Sequence, residues 1–193
     1  MGVQDVLDEV VRDECFYRNS GGGITVSGGE ALAQSEFVAN LLAACKREGL
    51  HTALDTSGYA SWERVRRVLD FVDLVLFDIK HLDPLEHKKG TGVDNRGILE
   101  NLTRIAEEKP VWLRMPLIAG FNDSEAYVRR VISMAKKIHA EKISFLPYHE
   151  GGKSKSEQLG RVYPCPAARA PDGEHIDSLK RIAEEDMKVS VGN

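Results

Sequence analysis

The stretch SGGGITVSGGEALAQ, Ser20 to Gln34, decides the architecture of this chain. Its centre, Ile24 to Ser27, is a short β-branched run that stops at Gly28-Gly29-Glu30, and a helix-forming run opens at Ser35. That order reads as a strand, a glycine turn and a helix, with one carboxylate just beyond the strand's carboxyl end. Two adjacent glycines let the backbone take positive φ and let a ligand approach without a Cβ in the way. Glu30 is then placed to accept charge-assisted hydrogen bonds from a cation such as an ammonium group. An ordinary βα turn with a solvated glutamate fits the same tripeptide, because Gly-Gly-Glu alone is a weak motif.

Working outward, Val3, Val6, Leu7, Val10 and Val11 recur at helical spacing and predict one amphipathic helix ending near Arg18. Ser35 is the expected N-cap of a helix through Cys45 to Glu48, closed by Gly49. His51 to Asp55 is the second strand, and Ser61 caps a helix carrying Val65, Val68, Leu69 and Val72. The third strand, Leu74 to Phe77, runs into a polar loop, HLDPLEHKKGTG. Ile98, Leu99, Leu102 and Ile105 mark the next helical face, followed by a strand from Val111 to Met115. Ser124 caps a helix through Ala135, and Ile143 to Leu146 is the fifth strand. A Gly/Lys/Ser loop and a proline-rich stretch precede a last helix, Gly173 to Glu185, and a short strand, Lys188 to Val191. Five sequential βα units plus a terminal edge strand make an α/β protein with a parallel sheet. Periodicity leaves open whether the sheet is doubly wound or part of a (β/α) barrel.

The 193 residues suit a single domain, 1–193, with a core of ordinary size. A net charge of −4 with interspersed signs offers no basic stripe for nucleic acid or a membrane surface. The apolar runs are too short to span a bilayer, and the acidic N-terminal segment is no signal peptide. Cys15, Cys45 and Cys165 are odd in number and widely spaced, which fits a reducing cytoplasm. They form no clustered thiolate motif for zinc or iron–sulfur binding. Cys45 reads as a buried or half-buried helix residue.

Polar residues recur at the strand ends: Glu30, then Asp55 and Thr56, then Asp78 and Lys80, then Arg114, then His149. Ligands of parallel α/β proteins bind at the carboxyl ends of the strands, so this face is the expected site. Asp55 and Asp78 could share a cation, and Lys80 and Arg114 could take a carboxylate or phosphate. Each also has a structural reading: Lys80 as a solvated ion pair with Asp78 or Asp83, Arg114 as a brace for Asp78, His149 as a satisfied loop histidine. His87, His139 and His175 lack such a placement and read as surface residues.

Taken together, Gly28-Gly29-Glu30, Asp55-Thr56-Ser57-Gly58, DIKHLDPLEHKKGTG from Asp78, RMPLIAGFND from Arg114 and LPYHEGGKSK from Leu146 resemble one family. It is that of the glycyl radical enzyme activating enzymes of the pyruvate formate-lyase activating type, in the radical S-adenosylmethionine (SAM) superfamily. The order and spacing hold from about Val3 to Arg161. The resemblance implies a cytoplasmic enzyme whose partner is a glycyl radical enzyme, and a partial parallel (β/α) barrel. It implies that Gly28, Gly29 and Glu30 hold the SAM amino group, and that Lys80 and His149 contact its carboxylate, ribose or adenine side. Arg114 would line the same pocket, and Asp55, Thr56 and Asp78 would hold a monovalent cation. In such enzymes a reduced [4Fe–4S] cluster cleaves SAM to a 5′-deoxyadenosyl radical, which takes hydrogen from a glycine of the partner.

The sequence departs from the family where the cluster is concerned. The family's C-x-x-x-C-x-x-C motif and the barrel strand that precedes it are absent, as is the ferredoxin-like insertion that many members carry. No [4Fe–4S] cluster is therefore expected in this chain, which reads as an N-terminally truncated, carboxyl-terminal portion, inactive alone. Ala31 replaces a usual proline, and Ala119-Gly120 a usual Pro-Gly, which alters turn rigidity only mildly. Two alternatives remain: a cluster-free SAM- or partner-binding module, and an unrelated barrel enzyme using Lys80 as a Schiff base. The second is weak, because Asp78 and Asp83 flank a lysine that would need an apolar setting.

Overall fold

A computed structural model describes residues 2–149 and 168–192. Cys165, the Gly/Lys/Ser loop and most of the proline-rich stretch lie outside the described residues. The elements are α1 (Val3–Val11), α2 (Glu14–Ser20), β1 (Gly23–Val26), a 3-10 turn (Ala31–Gln34), α3 (Ser35–Arg47), β2 (His51–Thr56), α4 (Trp62–Leu69), β3 (Leu74–Asp78), α5 (Pro84–Thr91), α6 (Arg96–Ala106), β4 (Val111–Leu117), α7 (Glu125–Lys137), β5 (Lys142–Pro147), α8 (Gly173–Glu184) and β6 (Lys188–Val191). The six strands form an all-parallel sheet in the order β1-β2-β3-β4-β5-β6. A doubly wound sheet reverses its strand order at a switch point. An unreversed order is that of a (β/α) barrel segment, which settles the choice that periodicity left open.

The chain groups into two compact units, Met1–Asp78 with Arg96–Trp112, and Ile79–Asn95 with Leu113–Asn193. In the first, β1 pairs with β2 from Gly23 opposite His51, and β2 with β3 from Ala53 opposite Leu74. Leu7, Leu41, Ala44, Cys45 and Leu50 form a buried cluster, with Val3, Val6, Val10, Ile24 and Val26 packed against it. Fully burying one such aliphatic side chain stabilises by about 1.5–3 kcal/mol. Cys45 is buried as expected, and burial pushes its thiol pKa up. The N-terminal helix is not continuous: it breaks at Arg12–Asp13, and α2 starts afresh. The valine stripe ends at Val11; beyond the break Tyr17 packs against the same buried cluster, while Phe16 is 68% exposed. Ser35 is the first residue of α3 and not its cap, because the 3-10 turn precedes it.

In the second unit β5 pairs with β6, Lys142 opposite Lys188. Along β4 the residues Val111, Leu113, Met115 and Leu117 are buried, and the alternate row Trp112, Arg114 and Pro116 is half-buried. Part of the expected polar loop is helix α5. Asp83 caps it by accepting the amides of Leu85 and Glu86, and Pro84 occupies its first turn. The cap and proline are a helix-start signature that the charge of the segment obscured. The helix turns His87 inward, which corrects its reading as a surface residue: it is buried, with Nδ1 2.7 Å from the Val93 carbonyl. His139 is exposed, and His175 is half-buried with Nε2 2.7 Å from the Asp123 carbonyl.

Two side chains test the packing of the first unit. Gly58 has φ +72°, and a Cβ there would lie 2.3 Å from Cζ of the buried Phe77 ring. Gly58→Ala is expected to cost about 2–4 kcal/mol, from the left-handed backbone and the overpacked ring together. Urea denaturation measures it, and a loss below about 0.5 kcal/mol, the range of inert surface changes, contradicts the packing. Asp73 joins the starts of β2 and β3: its carboxylate accepts Lys46 Nζ at 2.7 Å and the Thr52 amide at 2.9 Å. Burial pushes its pKa up, but the Lys46 and Thr52 donors outweigh burial and hold it below the ordinary 3.8. A depressed carboxylate stabilises above its unfolded value, and the gain is lost as pH falls through the folded pKa. The stability gap between wild type and Asp73→Asn is therefore expected to be full at neutral pH and to shrink below pH 3.8. A gap independent of pH would contradict it.

Candidate functional site

The turn after β1 is built as its glycines predict. Gly28 has φ +134°, and a Cβ added to Gly28 or Gly29 would meet nothing within 4 Å, so the space beside them is open. Glu30 returns to extended backbone and caps the 3-10 turn. Its Oε1 accepts the Leu32 amide at 3.0 Å and the Thr56 hydroxyl at 2.7 Å. Its Oε2 accepts the Ser57 amide at 3.0 Å and the Ser57 hydroxyl at 2.6 Å. An ionised carboxylate offers about four lone-pair positions, and four donors of this chain point at them. Glu30 is thus a clasp that ties the β1 turn to the end of β2. An ammonium group reaching it adds to, or replaces, an existing donor.

The clasp is backed from behind. Thr56 Oγ1 also accepts the Gly58 amide at 2.9 Å, and Asn101 on α6 donates Nδ2 to the carbonyls of Gly58 and Ala60. A polar chain therefore runs from a buried helix side chain through Gly58 and Thr56 to Glu30.

Asp55 lies on the other face of β2, because adjacent strand residues alternate. Its Oδ2 accepts the Ser27 hydroxyl at 2.9 Å. Asp55 is aligned with Leu76 of β3, so Asp78, two residues on, shares its face. Thr56 points to the opposite side, and its hydroxyl is committed to Glu30. Of the three residues read as a cation site, the structure puts the two aspartates on one face and turns the Thr56 side chain away. Among the described residues no group of three or more His, Cys, Asp or Glu is placed to hold a metal.

In the second unit, the Ile79 amide donates to the Arg114 carbonyl at 2.8 Å, which brings the half-buried Lys80 to the end of β4. The Tyr148 amide donates to Leu117 O at 3.0 Å, so the exposed His149 follows the end of β5 beside β4. The loop after Lys80 is anchored by His81, whose buried ring stacks on Tyr127 with centroids 4.7 Å apart and lies 5.0 Å from Phe121. Its Nδ1 accepts the Asp83 amide at 3.1 Å. Burial pushes the Tyr127 phenol pKa well up. Sequence reasoning missed Ser27, Ser57, Asn95, Asn101 and Asn122. Only the Asn-Asp pair in the turn before Ser124 carried a local signal for any of them. Cys15 is exposed on α2 and Cys45 buried in α3, so neither belongs to a ligand cluster among the described residues.

Residues 2–131 match the radical SAM superfamily. The chain is 42% identical over 197 residues to the choline trimethylamine-lyase activating enzyme of Oleidesulfovibrio alaskensis, covering 98% of this chain and 63% of the relative. It is 37% identical over 192 residues to the pyruvate formate-lyase 1-activating enzyme of Escherichia coli, covering 95% of this chain and 76% of that one. The fold matches the crystal structure of a domain of pyruvate-formate lyase-activating enzyme from Bacteroides vulgatus, with a TM-score of 0.73 and 31% identity, over 89% of this chain and 99% of that one. The chain thus spans less than two thirds of the length of the first of these relatives.

Removing the clasp should be felt in stability. Glu30→Ala leaves the Leu32, Thr56 and Ser57 donors without their acceptor and is expected to cost about 2–4 kcal/mol. Glu30→Gln keeps the shape but turns an amide toward the two donors that one oxygen accepted, and should cost about 1–3 kcal/mol. Chemical denaturation with hydrogen exchange at Leu32 and Ser57 reads both. Unchanged exchange at those amides would show that the clasp is not formed in solution.

Proposed function

The chain belongs to the radical SAM superfamily, among the glycyl radical enzyme activating enzymes, and on that premise we propose that it is the SAM-binding domain of an activase that raises a glycyl radical on a partner enzyme. The observation that carries this reading is the open Gly28–Gly29 edge beside Glu30 at the carboxyl end of β1. Residues 1–193 are taken as one radical SAM domain of partial-barrel form.

The glycine edge suits SAM because backbone without Cβ atoms lets the amino-acid end of the ligand lie against the turn. Glu30, already negative and oriented by four donors, would accept the SAM ammonium. Asp55 and Asp78, on one face, would hold a monovalent cation near the ligand carboxylate. Thr56 would serve that cation through its main chain, since its hydroxyl is engaged. Lys80, Arg114 and His149 of the second unit would supply the carboxylate, ribose and adenine contacts. SAM, once reductively cleaved, supplies a 5′-deoxyadenosyl radical able to remove hydrogen from a glycine. The reducing cluster does not fit the residues present. The sequence has no C-x-x-x-C-x-x-C motif, and Cys15 and Cys45 sit on separate helices with opposite exposure. No step is routed through a cluster held by this chain, and alone it is not expected to make the radical.

The relatives are named for different lyases, so the partner is proposed only as a glycyl radical enzyme of anaerobic metabolism. The cytoplasm is the proposed location. Among the described residues no helix is long and apolar enough to cross a membrane. A cluster-free SAM- or partner-binding module is the second reading, favoured by the missing cysteine motif.

Without metal bonds to the ligand, SAM should bind this chain weakly, roughly millimolar, or about −4 kcal/mol. Ligand-observed NMR should show that Glu30→Gln and Lys80→Ala each lose about tenfold or more in affinity, in line with losing one charge-assisted bond. His139→Asn, at an exposed position with φ 55° that Asn tolerates, should bind as wild type does. If folded Glu30→Gln keeps wild-type affinity, the glycine turn is not the amine site.

A further inference from the structure

In the second unit the chain that follows β3 bonds to β4 through Ile79. The Ile79 amide donates to the Arg114 carbonyl at 2.8 Å. Evenly slanted parallel bonding then asks the amide of residue 116 to donate back to Ile79. Residue 116 is proline, which has no N–H, so the ladder loses that bond. The Asn122 side chain ties the chain at the next residue instead. Its Nδ2 donates to the Lys80 carbonyl at 2.9 Å and to the Pro116 carbonyl at 2.6 Å. Its Oδ1 accepts the Ile118 amide at 2.8 Å. Asn122 is 1% exposed, so these bonds are made away from water. Asn95, also 1% exposed, donates Nδ2 to the next carbonyl along, that of His81, at 2.7 Å. The His81 ring is in turn held by Tyr127 and Phe121.

Lys80 therefore stands between two fixed points of main chain. The Lys80 carbonyl is held in the peptide that directly follows Lys80, and the Ile79 amide is held one peptide before the one that precedes it. A long flexible side chain is aimed chiefly by its Cα–Cβ direction, and that direction follows from the two peptide planes. We infer that Asn122 is a positioning residue for Lys80. Its carboxamide holds the Lys80 carbonyl, one residue beyond the ladder bond that Pro116 cannot make, and so fixes the peptide plane that follows Lys80, from which the Lys80 ammonium reaches a ligand. The role is indirect: Asn122 acts through the Lys80 backbone. Its functional meaning rests on the reading of Lys80 as a SAM-binding residue.

The test reads Lys80 itself. Lysine amines of the 193-residue chain are acetylated briefly with a small acylating reagent, with and without SAM, and the rate at each lysine is read by peptide mass spectrometry. Asn122→Asp keeps the size and the acceptor for Ile118 but removes both donors. Asn122→Ser, which keeps a single donor, serves if the first variant does not fold. The Lys80 rate is expected to rise about tenfold, as local opening becomes easier, while the exposed Lys89 and Lys136 keep their rates. Ile132→Ala, a core truncation on α7, controls for general loosening and should leave Lys80 at the wild-type rate. In wild type SAM should slow acetylation of Lys80, and in the Asn122 variants this protection should be lost. If Lys80 reacts at the wild-type rate in a folded Asn122 variant, or if Ile132→Ala raises it equally, the positioning role is overturned. If the Asn122 variants raise the rate but SAM never protects Lys80 in wild type, the positioning stands and the reading of Lys80 as a SAM contact falls.

Discussion

Four hydrogen-bond donors converging on the Glu30 carboxylate are the constraint on which the first unit's site depends. A parallel strand that ends at its carboxyl side leaves main-chain groups without ladder partners, and buried groups of that kind must be satisfied some other way. Here one carboxylate collects the loose donors of two strand ends and of the 3-10 turn. The same bonds that finish the fold also orient the charge. Glu30 is therefore structural and electrostatic at once, and the turn presents a fixed acid beside backbone that a ligand can approach closely. The cost of the arrangement is that no oxygen of the clasp is idle, so a bound cation competes with donors already in place.

The second unit solves the same problem with neutral groups. Asn122 and Asn95 place amide donors against the carbonyls of Pro116, Lys80 and His81. A carboxamide can donate two bonds and accept two, so it can stand in for a missing stretch of ladder without introducing a buried charge. Such networks are costly when half-made and rigid when complete. Polar residues gather at the carboxyl ends of parallel strands for this reason as well as for binding. That is why structural and functional readings of Lys80 and Arg114 stood so close together: one side chain often does both.

The strands and most helices were legible in the sequence because their signals are local. β-branched runs ending in glycine or acid marked β1, β2 and β3 to within a residue or so, and Ser124 marked the start of α7 as a true cap. The misses came from signals overlaid on one another. The segment from His81 to Gly92 is polar enough to read as a loop, although Asp83 and Pro84 announce a helix. The run from Val3 to Arg18 has the right period for one helix, but its valine stripe stops at Val11, and the helix restarts at Glu14 with only Tyr17 packed against the buried cluster.

The sequence by itself determined the class, the family and which polar residues fall at or near the strand ends. Those follow from composition, from period and from motifs whose order along the chain survives translation into any geometry. Tertiary structure alone decided what those residues do to one another. It took the strand order to choose a barrel segment over a doubly wound sheet. It took register to set Asp55 and Asp78 on one face while turning Thr56 to the other. It took the approach of residues 26 or 42 positions apart to make Glu30 a clasp for Thr56, and Asn122 a support for Lys80. Contacts at that separation depend on how the helices pack the strands together, and no local pattern encodes them.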